Sequence, residues 1–404
     1  MSLSIGKDKA IIIILQGVSA LVMILYGKLI AVNFTPEQYG SYTLQFAVYI
    51  FFNSFFISPT LQYVKTKNNR LNNKHGFKVY QYIIFIASII VTALTGLFLW
   101  NKYNEINVSF VILIMIFCMH DAFFKMALDK INTDGRVVAY SLISFANKLL
   151  LLFFAFMLLE LSEDFDSEYI WGGLMLSSIF TYLLCILANN KHKNRVVKKI
   201  TITMHSKHMF RYSLPLALMS VWSWITNYFD RFVIEYYMNF SDLGLYNAAY
   251  GLGSKFFSLL VPVYLIILTP FIYGKSKTNL KKEKIVKSVY SYILIGFILI
   301  LIVHLTYDFI GYVFLSKQYA DGFFVISGMN IAYFFLTISY LYELLLYSES
   351  KTKLILNINI FSALSNIFLN VLFIPIYGLQ GAIIATIISF LIKLILTVFY
   401  FNKL

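Results

Sequence analysis

Residues 227–254 read NYFDRFVIEYYMNFSDLGLYNAAYGLGS, an apolar helix interrupted by a short polar turn and resumed as a second apolar helix. Inside the first run stand Asp230, Arg231 and Glu235, and Arg231 and Glu235 are four residues apart, the spacing of an intrahelical ion pair. A charged side chain at the centre of a membrane helix costs about 2.5–3.5 kcal/mol on insertion scales, so such groups face a partner or a hydrated path rather than lipid. This hairpin is the first candidate for a functional core.

Composition places it in a membrane. Mean hydropathy is +0.74, and 59% of residues are hydrophobic while 13% are charged, about half the charged fraction of a soluble domain. Apolar windows of about 20 residues, long enough to cross about 30 Å of hydrocarbon, recur at residues 10–32, 41–64, 79–100, 108–129, 137–160, 169–189, 211–238, 243–273, 285–306, 323–347, 354–373 and 381–401. The first is too long for the apolar core of a signal peptide and has no small-residue cleavage site after it, so it reads as a retained helix. The expected class is an all-α polytopic membrane protein with about 12 transmembrane helices.

The charges between the windows set the orientation. If Lys7 and Lys9 are cytoplasmic, the same side receives Lys65, Lys67, Arg70, Lys74, Lys78, Lys130, Arg136, the segment from Lys191 to Arg211, the cluster from Lys275 to Lys287, Lys351, Lys353 and Lys403. The opposite side holds only Lys102 and Lys317 among basic residues. The positive-inside rule then predicts that both termini are cytoplasmic. These loops account for most of the net charge of +14, so membrane lipids are expected partners and no nucleic acid is. No gap exceeds about 20 residues, which leaves no room for an ATPase or a large catalytic loop, and no glycine-lysine phosphate loop occurs.

The chain also echoes itself. FTPEQYGSY at 34–42 resembles FSDLGLY at 240–246 with a gap of two residues, and each lies between two apolar runs. Together with the long basic connection at 190–210, this predicts a six-helix bundle over 1–189, a cytoplasmic linker over 190–210 and a second six-helix bundle over 211–404. Two bundles that rock against each other are joined outside the hydrocarbon in duplicated transporters.

Candidate chemistry lies in the intramembrane charges. Asp121, Lys125 and Asp129 recur at four-residue spacing and read as a locally satisfied patch. Lys28, Lys148, Lys255 and Lys393 have no carboxylate three or four residues away. Lys28 is near enough to a helix end to reach the interface, whereas the other three are expected to line an aqueous cavity. Such a cavity, edged by lysine and arginine, selects anions such as phosphates and acidic sugars. His120, next to Asp121, is a candidate proton relay, although a hydrogen-bonded core histidine is the simpler reading. His205 and His208 lack further ligands for a metal, and Cys118 and Cys185 read as small core hydrophobes. Pro59, Pro215, Pro262 and Pro270 fall inside predicted helices, where each is either a bend or a static kink.

Three segments carry a family resemblance: residues 34–42; Asp230-Arg231-Phe232 with LGLYNAAY at 243–250; and NIFLN at 366–370 running through IPIYGLQGAIIAT at 374–386. They resemble the O-antigen-unit flippases of the multidrug/oligosaccharidyl-lipid/polysaccharide exporter superfamily, and with length and helix count the resemblance spans the chain. It implies two pseudo-symmetric six-helix bundles around a central cavity, alternating access, and a lipid-linked oligosaccharide substrate on undecaprenyl pyrophosphate turned from the cytoplasmic to the outer leaflet of a bacterial inner membrane. Under it Lys148, Arg231, Lys255 and Lys393, with Lys28 and Lys125, form the cationic substrate site. Asp121, Asp230, Glu343 and His120 are then candidates for coupling to a proton or sodium gradient, no cofactor is expected, and a polysaccharide polymerase is a candidate partner. A cation-coupled multidrug exporter and a peptidoglycan-precursor flippase of the same superfamily are alternatives, and an integral membrane polymerase is an alternative of another class.

Overall fold

The computed structural model describes residues 2–66, 74–103, 107–161, 166–189, 202–274 and 277–404. Among them there are helices and no strands: α1 Ser2–Asn33, α2 Pro36–Lys65, α3 Lys74–Tyr103, α4 Val108–Thr133, α5 Val137–Glu160, α6 Ser167–Asn189, α7 Ile202–Tyr237, α8 Phe240–Gly253, α9 Lys255–Ile272, α10 Thr278–Phe314, a 3-10 turn Lys317–Gly322, α11 Phe324–Ser348 and α12 Thr352–Asn402. Most of the predicted linker and the side chain of His205 lie outside the described residues.

Among the described residues ten stretches are long and apolar enough to cross a membrane, with α8 and α9 forming one of them, Phe240–Ile272. The last, Thr352–Asn402, has 51 residues, about 76 Å of helix at 1.5 Å per residue against about 30 Å of hydrocarbon. It is broken at Gly378, whose φ of 56° and ψ of −134° are outside helical values and open to a residue without Cβ. Ser362 Oγ donates to the Ser389 carbonyl at 3.0 Å, and Asn366 donates to Ser389 Oγ at 3.2 Å. A Cβ at Gly381 would strike the Phe373 carbonyl. These pairs straddle the break, so α12 is a tight antiparallel hairpin and counts as two crossings. The remaining long helix, α7, fails on composition because its apolar run is diluted by Trp, Ser, Tyr and Asn and ends in Asp230-Arg231. With it the crossings number twelve among the described residues. The protein is an all-α, multi-pass membrane protein.

The chain forms two compact units, Met1–Asn33 with Gln45–Val221, and Phe34–Leu44 with Trp222–Leu404. In the first, Trp171 is fully buried among the rings of Phe46, Tyr49, Phe110 and Phe117. Its indole N–H donates to Gln45 at 3.1 Å, and Gln45 in turn donates to Ser167 at 3.3 Å, so the one polar edge of the ring is satisfied where burial demands it. Cys118 and Cys185 are buried free thiols, as expected of core residues. In the second unit the apolar core runs through Phe257, Ile285, Tyr292, Phe334, Leu341 and Phe401.

The echoed segments meet inside this second unit. Thr35 and Gln38 cap α2 reciprocally, with Thr35 N–H to Gln38 at 3.0 Å and Gln38 N–H to Thr35 Oγ1 at 3.3 Å, and Pro36 occupies the first helical position, where its missing N–H is not needed. Asn239 caps α8 by accepting from Asp242 N–H at 2.8 Å. The two first turns then cross at backbone contact: a Cβ at Gly40 would enter the Phe240 carbonyl, and a Cβ at Gly244 would enter the Pro36 carbonyl. Gln318 and the Tyr319 hydroxyl pin the Phe34 carbonyl at 2.8 and 2.9 Å.

Gly40→Ala and Gly244→Ala are each expected to destabilise by about 1–3 kcal/mol through overpacking, read as a lower midpoint of thermal unfolding in detergent. Gly251→Ala, where a Cβ meets nothing within 4 Å, is the control and is expected to hold or raise the midpoint.

Candidate functional site

Asp230 and Arg231 lie near the end of α7, both buried. A helical side chain leans toward the N-terminus of its helix, and Arg231 does so: one terminal nitrogen donates to the Asn227 carbonyl one turn earlier and meets Asp230 Oδ1 at 3.1 Å. The expected pairing with Glu235, one turn later, is therefore corrected to Asp230, because the guanidinium points the other way along the helix. Arg231 Nε donates to Asn247 of α8 at 2.8 Å, and the rings of Tyr228 and Tyr250 lie 4.6 and 5.1 Å from the guanidinium carbon. Asp230 Oδ2 accepts from the Tyr246 hydroxyl at 2.6 Å. Three of the five guanidinium N–H groups are used in these contacts, two have no acceptor among the described residues, and the cation is held by two helices.

From this cluster a buried polar path runs into α11 and α12. Tyr250 and Tyr333 share a hydroxyl hydrogen bond of 3.1 Å, and the Tyr333 ring meets Phe390 edge-on. Tyr246 also contacts Thr386, one turn before Ser389, which receives Asn366, and Asn366 accepts from Asn370 at 3.0 Å. Further along the same face Lys393 lies 3.2 Å from Glu343 of α11 and 4.9 Å from the Tyr340 ring. The pair is held by charge more than by an aligned hydrogen bond. Asn330 is buried, and among the described residues neither end of its amide has a partner, nor does Asn370 Oδ1.

The expected cationic set therefore divides. Lys393, expected to be unpaired, is neutralised by Glu343. The three- and four-residue rule reads one helix at a time and does not see a partner on a neighbouring one. Lys125 is paired with Asp121 at 2.6 Å, as its spacing predicts, while Asp129 turns to Lys65 at 2.9 Å. Lys28, Lys148 and Lys255 have no ion pair among the described residues. His120 Nδ1 is 2.9 Å from the Ile116 carbonyl, which fixes the proton on that nitrogen, and its ring lies edge-on to Tyr182. Among the described residues no group of His, Cys, Asp and Glu is placed to hold a metal. Tyr333, Asn330 and Ser389 carry no mark in the sequence and Thr386 only its place in the 374–386 segment, whereas Asn366 and Asn370 are legible as two amides four residues apart in NIFLN.

A family model described as "Polysaccharide biosynthesis protein" matches residues 169–273, a stretch that contains the Asp230–Arg231 cluster and its partners on α8. None of the curated proteins matches the sequence. Among solved structures, "Lipid II flippase MurJ, inward closed conformation" is similar at a TM-score of 0.71 and 17% identity, covering 96% of this chain and 87% of that one. An inward-facing multidrug resistance MATE family transporter of the MOP superfamily reaches 0.68 at 14% identity, covering 95% and 94%. An outward-facing one reaches 0.66 at 12% identity, covering 98% and 93%. The chain has the fold of these transporters. At the level of fold this agrees with the resemblance carried by the three sequence segments.

Removing one member of a buried ion pair leaves the other uncompensated and costs about 3–5 kcal/mol. Asp230→Asn and Arg231→Gln are each expected to fall in that range, and the double variant is expected to lose less than their sum. A double-mutant cycle on unfolding in detergent measures the difference; strict additivity would deny that the two charges hold each other.

Proposed function

We propose that this protein is a flippase that turns undecaprenyl-pyrophosphate-linked oligosaccharide units, of O-antigen or another surface polysaccharide, from the cytoplasmic to the outer leaflet by alternating access. The observation that carries the reading is Arg231. It is a buried guanidinium close to the rings of two tyrosines, anchored by Asp230 and Asn247, with two N–H groups that no described residue accepts, inside the stretch matched by the polysaccharide-biosynthesis model. Arginine's planar fork suits phosphate oxygens, and flanking aromatic rings suit the apolar faces of sugars. The likeness of fold to a lipid II flippase supports movement of a lipid-linked glycan rather than its synthesis.

In this reading the protein is a transporter and not an enzyme, set in a bacterial inner membrane with both termini cytoplasmic. Residues 1–189 and 211–404 are its two halves, joined through 190–210. The ammonium groups of Lys148 and Lys255, which have no ion pair among the described residues, lower the barrier for a pyrophosphate headgroup. Asp230 and Glu343, each already facing a resident cation, are the groups whose protonation or cation binding would release that partner and so link transport to a gradient.

Proteoliposomes containing a fluorescent undecaprenyl-pyrophosphate oligosaccharide test the proposal. Wild type is expected to translocate the lipid. Lys148→Ala and Lys255→Ala are each expected to slow it by about tenfold or more, at matched folding, if each supplies one charged contact. A wild type that moves none of a panel of such lipids but exchanges cationic drugs for protons would replace this reading with that of a multidrug exporter.

A further inference from the structure

Helix α1 exposes Ile11, Ile14, Val18, Leu21, Leu25 and Val32. Their spacing of three, four and seven residues makes one stripe along a helix, and the position that completes it between Leu25 and Val32 is Lys28. On α5 a matching exposed run consists of Leu142, Leu149, Phe153 and Phe156. The two helices pack against each other within the first unit. Between them, over residues 25–33 and 149–156, lies a groove of about 560 Å³, within the range of about 300–1,000 Å³ usual for small-ligand sites.

The lining is apolar except for Lys28 and Asn33. Asn33 spends its amide N–H on the Leu29 carbonyl at 2.8 Å. Lys28 is thus the one charge in the groove, and no ion pair or hydrogen bond holds its ammonium among the described residues. Lys28 is five residues from the end of α1, so its ammonium reaches the depth of a lipid headgroup while its stem lies along the trough. One cation beside an apolar trough matches an amphiphile with an anionic head and hydrocarbon behind it. A trough between two helices suits a single chain, whereas a diacyl lipid must leave its second chain elsewhere. The branched chain and planar double bonds of an isoprenoid fit leucine and phenylalanine walls.

We infer that this groove binds the head-proximal part of a polyisoprenyl phosphate, with the phosphate on Lys28 and the first isoprene units against Leu25, Leu29, Phe153 and Phe156. The inference rests on the flippase reading and deepens it, since it gives the tail of the cargo a site on the first unit.

The test is photolabelling of the full-length protein in nanodiscs of neutral phosphatidylcholine with a diazirine-bearing undecaprenyl phosphate, the adducts being mapped by peptide mass spectrometry. Adducts are expected within residues 25–33 and 149–156 and are displaced by unlabelled undecaprenyl phosphate. Lys28→Gln is expected to weaken that displacement about tenfold, the loss of one charge-assisted contact, while Lys28→Arg retains it and uncharged undecaprenol displaces weakly in every case. Leu25→Trp fills the trough, leaves Lys28 in place and is expected to reduce labelling as well. Displacement by diacyl phosphatidylglycerol as effective as that by undecaprenyl phosphate would overturn the assignment, as would adducts confined to other helices. Labelling and translocation are scored on the same preparation. A protein that flips its cargo without labelling the groove removes the groove alone; one that labels the groove and flips nothing removes the flippase reading and leaves a lipid site.

Discussion

Arg231 sits buried near the end of a membrane-crossing helix, and the groups that make that tolerable organise the second unit around it. The Asp230 carboxylate supplies the opposite charge, and the Tyr246 hydroxyl and Asn247 amide on α8 complete the partners on both sides. Those α8 groups reach α7 only because the turn between the helices is short and capped by Asn239, and because Gly244 lets the start of α8 lie against the start of α2. A side chain at Gly244 would push α8 away from Pro36 and disturb the register that sets Tyr246 and Asn247 against Asp230 and Arg231. Packing and electrostatics at this corner are one constraint.

Much of the fold is legible in sequence because hydrocarbon thickness imposes a length, and eleven apolar windows of that length are plain, the one over 211–238 being diluted by polar residues. Even the reversal within α12 is visible as Pro375 and Gly378 between two windows. The echo at residues 34–42 and 240–246 is legible too, although the reason for it, two glycines at a backbone crossing, is a matter of packing between helices far apart in the chain.

The site is less legible, for a consistent physical reason. Spacing rules describe neighbours on one helix, so Asp121 and Lys125 pair as read. Lys393 finds Glu343 on another helix, and Arg231 prefers its sequence neighbour because helical side chains slope toward the N-terminus. The tyrosines are similarly opaque: in a chain with 30 of them, nothing distinguishes Tyr333 from those that cover apolar surface, and Tyr246 is marked only by its place in the echoed segment, until their hydroxyls are seen to meet buried partners. Lys148 and Lys255 have no carboxylate three or four residues away on their own helices, and no ion pair to either is found among the described residues.

The hairpin of α12 bears on how the protein is made. Asn366 and Asn370 enter the membrane in a crossing synthesised before the one that carries Ser389, the side chain to which Asn366 donates. Until that later crossing arrives, the amides face either the translocation machinery or lipid, and lipid offers them nothing. The two crossings are therefore best delivered to the bilayer together, as a folded pair, and the tight reversal at Gly378 makes that possible by letting the second half close on the first as soon as it emerges. Biogenesis of this end of the molecule is then a concerted step, and its yield in cells depends on how quickly the polar groups of one crossing find those of the next.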